Sequence, residues 1–158
     1  PRTEHPRLEA LGERLDTLRS VVMLDHQIGL TTTYNLLLGF NLANIQADTS
    51  HKHHAPATDP RLDELRELHL ELDRSVLAVY AEQLAASSDP RQRELAPLFR
   101  SIEIPPYRDP RLPDLSPADK LALERFNDAV LDALMALNEL RAAQERGLLD
   151  PPAERAGP

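Results

Sequence analysis

The sequence of 158 residues contains no cysteine and no tryptophan, and aromatic residues make up only 4 % of it. Without cysteine the chain can form no disulfide, no thiolate zinc site and no cysteine nucleophile. This is compatible with a reducing cytoplasm, which is the location we expect. Aromatic and β-branched residues are scarce and leucine and alanine dominate, so the composition favours an all-α fold.

Three further absences narrow the functional classes. No apolar run approaches the roughly 18 residues of a membrane span, so we expect no membrane partner. The formal net charge is −8, which argues against an independent nucleic-acid binder because such binding needs lysine and arginine. Any DNA contact must therefore be local. The five glycines are scattered singly, so no glycine-rich turn can hold a nucleotide-like cofactor.

The length fits a single helical domain over residues 1–150, followed by a polar tail over 151–158 that we expect to be disordered. The chain begins at Pro1 without methionine and ends in the letters PPAERAGP. We therefore weigh a piece of a longer polypeptide about equally with a free-standing protein.

Apolar residues at spacings of three and four predict three long helices, at about 6–26, 59–86 and 117–146, with short helices between them. They are expected to pack as a bundle. Asp59 is a suitable N-cap before Pro60, and Ser116 with Asp119 forms a capping-box-like start. Gly29 and Gly147 are placed to end the first and last helices in left-handed conformations. Thr31 or Thr32, and later Asp89, can begin the short helices.

The helix over 59–86 shows two apolar stripes with polar residues between them. The first stripe contains Leu65, Leu68, Leu72, Val76 and Val79, and the second contains Leu70, Leu77 and Leu84. The polar line consists of Arg66, His69, Asp73 and Tyr80. A helix with this pattern contacts two neighbours, so we expect His69 and Asp73 to be buried between the first and last helices. Burial would require hydrogen bonds, for which Tyr34, Asn35, Asn127 and Asn138 are candidates.

Several short motifs resemble functional sites but lack a required group. Histidines at 51, 53 and 54 lie too close in sequence to form a structural zinc site without partners elsewhere, so we predict no metal site there.

The letters Ile104-Pro105-Pro106-Tyr107 resemble the Asn/Asp-Pro-Pro-Tyr signature of amino-methyltransferases. Ile104, however, cannot accept a hydrogen bond from a target amine. His69 and Asp73 lack an identifiable nucleophile. We therefore predict no catalytic, cofactor-binding or metal residue in this chain.

Two segments do support a resemblance to a family. The first reads Gly-Leu-Thr-Thr-Thr-Tyr-Asn over 29–35, and the second reads LRELHLELDRSVLAVY over 65–80. Together they resemble the non-catalytic C-terminal helical region of large adenine-specific DNA methyltransferases from bacterial restriction-modification and phage-exclusion systems. The segment 137–141 is similar to their closing helix. This chain departs from the family pattern at Thr32, where lysine is frequent, and at Ala81-Glu82, where a Gly-Trp pair is usual.

The resemblance implies a parent enzyme that transfers a methyl group from S-adenosylmethionine to adenine N6 in DNA. This chain would support target recognition within that enzyme and would contain no cofactor itself. Its partners would be the remainder of the parent and, through it, DNA. The turn with Thr31, Thr32, Thr33, Tyr34 and Asn35 would be the place for a contact with a phosphate.

An alternative hypothesis is a free-standing helical module that binds another protein. Its docking surface would be the stripe of Leu70, Leu77 and Leu84, because an amphipathic helix can lay an apolar face into a partner's groove. A natural gene that extends far upstream, with a cofactor loop and an Asn-Pro-Pro-Tyr motif, would favour the methyltransferase interpretation. A gene that starts near Pro1 would favour the module.

Overall fold

A computed structural model of the chain describes residues 5–38, 59–107 and 115–147. Over these ranges there is no strand, and helices account for 83 % of the residues. The helices are α1 (Pro6–His26), α2 (Leu30–Leu38), α3 (Pro60–Ala85), α4 (Pro90–Arg100) and α5 (Pro117–Glu145). The all-α prediction is confirmed, and α1, α3 and α5 lie within one residue of the predicted bounds. The predicted loop over 40–58, with its histidines, and the tail over 151–158 fall outside the described residues.

The helix starts follow from local chemistry. Proline occupies the first position of α1, α3, α4 and α5, where its fixed φ suits a helix and its missing N–H is not needed. Side-chain oxygens then accept from free amides of the first turn. The Asp59 carboxylate accepts from the Arg61 amide at 2.9 Å, and the Asp89 carboxylate accepts from the Arg91 amide at 2.9 Å. The Ser116 hydroxyl accepts from the Asp119 amide at 3.1 Å, as the capping box predicts.

The helix ends agree with the prediction at one of two places. Gly147 has φ +65° after α5, as expected. After α1, however, the left-handed residue is Gln27, with φ 51°, and not Gly29. The Gln27 and Ile28 amides donate to the carbonyls of Leu24 and Met23. These two bonds satisfy carbonyls of the last turn of α1, so the helix ends before Gly29 is reached.

The described residues divide into two compact units, with the boundary inside α3 between Ser75 and Val76. The first unit comprises residues 5–38, 59–75, 104–107 and 115–121, and the second comprises 76–103 and 122–147. Each unit has its own apolar cluster. The buried members in the first unit are Leu11, Leu15, Val22, Leu36, Leu37, Leu62, Leu65 and Leu68. Those in the second are Ala81, Leu84, Ala96, Phe99, Ala133 and Leu137.

The two clusters show how the helices pack within each unit. In the first, α1, α2 and the N-terminal part of α3 bury their leucines together. In the second, the C-terminal part of α3 packs with α4 and α5. None of the helices in the described part of the chain has the length and apolar character needed to cross a membrane.

A charged network joins the end of α1 to the start of α3. Asp59 is buried and lies 2.7 Å from Nε2 of His26 and 2.7 Å from Nη2 of Arg61. Arg61 also pairs with Asp25 on α1. The hydrogen bond from Arg61 is the largest reason why the pKa of Asp59 lies well below its usual range, and the hydrogen bond from His26 adds to it. This carboxylate therefore caps α3 and joins it to α1.

We predict that Asp59→Ala lowers the free energy of unfolding by about 2 kcal/mol, because the variant loses the cap and the hydrogen bonds from the partly buried His26 and Arg61 side chains. Asp59→Asn is the control, since asparagine is an equally good N-cap acceptor, and its loss should be smaller. Urea unfolding near neutral pH measures both. An unchanged midpoint for Asp59→Ala would contradict the proposed role of the network.

Candidate functional site on helices α2 and α3

The C-terminal end of α2 is held by a cation from α3. Arg66 donates from Nε to the carbonyl of Leu37 at 2.6 Å and from Nη2 to the carbonyl of Leu36 at 2.9 Å. It also pairs with Asp63, one turn earlier on α3. The last carbonyls of a helix have no partner within it, and they form the negative end of its dipole. Arg66 satisfies both carbonyls and places a positive charge beside them.

Three rings meet next to this contact. The Tyr34 ring on α2 lies edge-on to the imidazole of His69, with 5.6 Å between ring centroids and 66° between planes. The Tyr107 ring, in the non-helical segment after α4, stacks on the same imidazole, with 4.8 Å between ring centroids and 11° between planes. Aromatic pairs in such geometries contribute roughly 0.5–1.5 kcal/mol each beyond the area they bury. His69 therefore connects α2, α3 and the segment that contains Tyr107.

This arrangement corrects part of the predicted polar line. His69 and Asp73 are about half-buried, and of the four candidate partners Tyr34 contacts His69. Asn127 and Asn138 on α5 are exposed, so they are not partners. The prediction that these two asparagines hydrogen-bond to His69 or Asp73 was therefore wrong. The reason is that the segment after α4 brings the Tyr107 ring onto the imidazole.

Tyr80 does not continue the polar line. Its ring stacks on Phe99 of α4, with 5.2 Å between centroids and 10° between planes. It packs against the apolar cluster of the second unit. The predicted line thus consists of Arg66, His69 and Asp73 in one unit, and of Tyr80 in the other.

Burial dominates the electrostatics around His69. It lowers the pKa of His69, and the positive charge of Arg19 lowers that pKa further. Burial also raises the pKa of the Asp73 carboxyl. The pKa of Tyr107 is raised first by burial and then by the nearby Tyr34 and Asp73. All three groups are therefore shifted toward their neutral forms.

The predicted DNA-contact turn is partly used by the protein itself. Thr33 is 1 % exposed, and its hydroxyl donates to the carbonyl of Gly29 at 3.1 Å. Tyr34 is engaged with His69. Thr31 is exposed, while Thr32 and Asn35 are partly exposed. Of the five predicted residues, these last three keep a side chain that an external group could reach without displacing the Tyr34 ring or opening the core.

The second leucine stripe of α3 is not a docking surface. Leu70 and Leu84 are buried, and Leu77 packs against the apolar cluster of the second unit. The alternative hypothesis placed a partner protein on these residues, and this placement was wrong because the chain's own side chains already cover them.

The space between the side chains of this site is small. Arg19, Thr33, Tyr34, Leu37, Leu65 and His69 line a crevice too narrow to admit a water molecule. Across residues 5–38, 59–107 and 115–147, no three His, Asp or Glu side chains come together as a set that could hold a metal ion. The geometry instead describes a packing and hydrogen-bonding junction that fixes the orientation of α2.

Sequence reasoning missed two contributors to this junction. Tyr107 was noticed only as the last letter of an incomplete methyltransferase signature, and nothing in the spacing of a non-helical segment predicts where its ring lies. Arg19, which lines the same crevice as Tyr34 and pairs with Asp16, lies on α1 outside its apolar seam. Its position beside Leu18 of that seam was the available signal.

The lowered pKa of His69 predicts a pH effect on stability. In the unfolded chain a histidine has a pKa of about 6.5, so between this value and the lower folded value the unfolded state binds the proton better. Stability should therefore fall as the pH falls through about 6.5. The loss measured by urea unfolding between about pH 7.5 and 5.5 should be smaller in His69→Gln than in the native chain.

The raised pKa of Asp73 changes stability with the opposite sign. Asp73 is present in both proteins, so its contribution cancels when the two losses are compared. Equal losses in the native chain and in His69→Gln would contradict a desolvated imidazole at this position.

Comparison with known proteins adds no family to this description: no family model matches the chain, and neither a curated protein nor a solved structure shows significant similarity to it.

Proposed function

We propose that this chain is a non-catalytic helical region of an N6-adenine DNA methyltransferase of a restriction-modification or phage-defence system. In that enzyme it would support the module that recognises the DNA target. The parent would obtain the methyl group from S-adenosylmethionine, and this chain would supply none of the cofactor-binding residues. We propose a cytoplasmic location, with the remainder of the parent and DNA as partners.

One observation supports this proposal more than any other. The two segments that carry the resemblance, 29–35 and 65–80, contact one another. Tyr34 of the first segment meets His69 of the second, with 5.6 Å between ring centroids. Arg66 of the second donates to carbonyls in the turn of α2 that follows the first. Two segments that act together in a parent enzyme are expected to pack against each other, and these two do.

The contact also suggests how the region would act. Arg66 and His69 hold α2 in a fixed orientation, which leaves the Thr31 hydroxyl exposed at its N-terminal end. Backbone amides and hydroxyls at the start of a helix are suited to phosphate oxygens. We propose that Thr31, Thr32 and Asn35 contact the DNA backbone and so position the enzyme without reading the bases.

We further propose that α1, α3 and α5 form one bundle in the parent. The support is that α3 contributes side chains to both apolar clusters, which contain residues of α1 in one case and of α5 in the other.

The test uses the product of the complete natural reading frame that contains this chain. That product should transfer a methyl group from S-adenosylmethionine to adenine in duplex DNA. Replacing Thr31 and Thr32 together with alanine should weaken duplex binding by about tenfold, because two hydrogen bonds of about 0.5–1.5 kcal/mol are lost. The loss should be the same for all DNA sequences, since backbone contacts do not report sequence.

The matched control replaces Thr17 and Ser20, two exposed hydroxyl residues of α1, with alanine and should leave DNA binding unchanged. If the protein encoded by the complete reading frame has no methyltransferase activity, the proposed family is contradicted. Active enzyme whose DNA affinity is insensitive to Thr31 and Thr32 would contradict only the contact at the turn. A changed target preference would contradict the backbone role.

A further inference from the structure

The outer face of α5 combines exposed apolar side chains with a row of like charges. Leu131 is 57 % exposed and Met135 is 50 % exposed, although both are large hydrophobic residues. They are four residues apart and therefore adjacent on one side of the helix. Ala133 and Leu137, which are buried in the apolar cluster of the second unit, lie on the opposite side.

Beside these two residues lie carboxylates at successive helical turns. Glu124, Asp128 and Asp132 are all exposed and are spaced by four residues. Within the described part of the chain none of them forms an ion pair. The stretch 121–140 contains one cation, Arg125, and one further carboxylate, Glu139. Like charges at this spacing destabilise a helix, so the row is unfavourable for the chain by itself.

A locally unfavourable pattern on an otherwise consistent helix is typical of a functional surface. A partner of this face would have to supply positive charge for the carboxylates and an apolar side to cover Leu131 and Met135. We propose that this face of α5 docks a basic amphipathic helix of a partner protein. Lysine or arginine on that helix would pair with the carboxylate row, and its apolar side would pack on Leu131 and Met135.

The same charges argue against two other occupants. A second copy of the chain would bring an identical acidic row against this one, and like charges across an interface are strongly unfavourable. DNA or RNA would bring phosphates against the carboxylates, whereas nucleic-acid binding depends on lysine and arginine. The proposal concerns side chains of α5 alone and does not depend on the proposed methyltransferase origin.

The test measures binding of a fluorescent synthetic peptide, composed of leucine and lysine in an amphipathic helical pattern, to the full chain by anisotropy. A peptide of the same composition in scrambled order reports binding by charge alone. Two variants alter the face. The acidic variant contains Glu124→Gln, Asp128→Asn and Asp132→Asn, and the apolar variant contains Leu131→Gln and Met135→Gln. Circular dichroism verifies that both remain helical, as expected for substitutions at exposed positions.

A control variant contains Glu9→Gln, Glu13→Gln and Glu94→Gln, which removes the same number of exposed negative charges elsewhere. The patterned peptide should bind more tightly than the scrambled one. The acidic and apolar variants should each weaken its binding by about tenfold or more, as expected when central contacts of an interface are removed. The control variant should change it by less than about threefold.

Equal weakening by the acidic and control variants would overturn the proposal, because binding would then depend only on net charge. The proposal would also be overturned if the apolar variant bound the patterned peptide as tightly as the native chain does. Equal binding of the patterned and scrambled peptides would overturn it as well. Sedimentation equilibrium and titration with duplex DNA test the other occupants. A dimer lost in the apolar variant, or DNA binding lost when Leu131 and Met135 are replaced, would assign the face to that occupant instead.

Discussion

The contact between Arg66 and the last turn of α2 is the interaction on which the first unit depends most. α2 has only nine residues, too short to be stable in water by itself. Its Leu36 and Leu37 enter the apolar cluster, while their carbonyls have no partner within the helix. Arg66 donates to both carbonyls. The apolar side chains can therefore be buried without leaving backbone acceptors unsatisfied beside them.

Helix α3 contributes buried side chains to both apolar clusters, one at each of its ends. Leu62, Leu65 and Leu68 are buried in the first unit, whereas Ala81 and Leu84 are buried in the second. The polar residues between these two ends contact different partners in the two units. His69 meets two tyrosines, while Tyr80 meets Phe99. One periodic pattern thus supports two local cores, and a side chain's role is decided by which core it faces.

The sequence predicts the helices well because their boundaries depend on neighbouring residues. Asp59, Asp89 and Ser116 cap the helices that follow, through bonds to amides two or three residues away. Contacts between segments that are distant in sequence are predicted less well. Periodicity predicts that His69 faces other parts of the chain but not which residues it meets, so the contact with Tyr107 was not predicted. The left-handed conformation was assigned to Gly29 from propensity alone, whereas the carbonyls available at the end of α1 place it at Gln27.

The most direct test of the Arg66 contact is urea unfolding of Arg66→Met, which keeps an unbranched apolar side chain of similar length but has no donors. We predict a loss of about 1.5–3 kcal/mol, the range for hydrogen bonds to a charged group. Arg74→Met, at an exposed position of the same helix, is the control and should change stability by no more than about 0.5 kcal/mol. Equal effects of the two substitutions would contradict the conclusion that Arg66 holds α2 on α3.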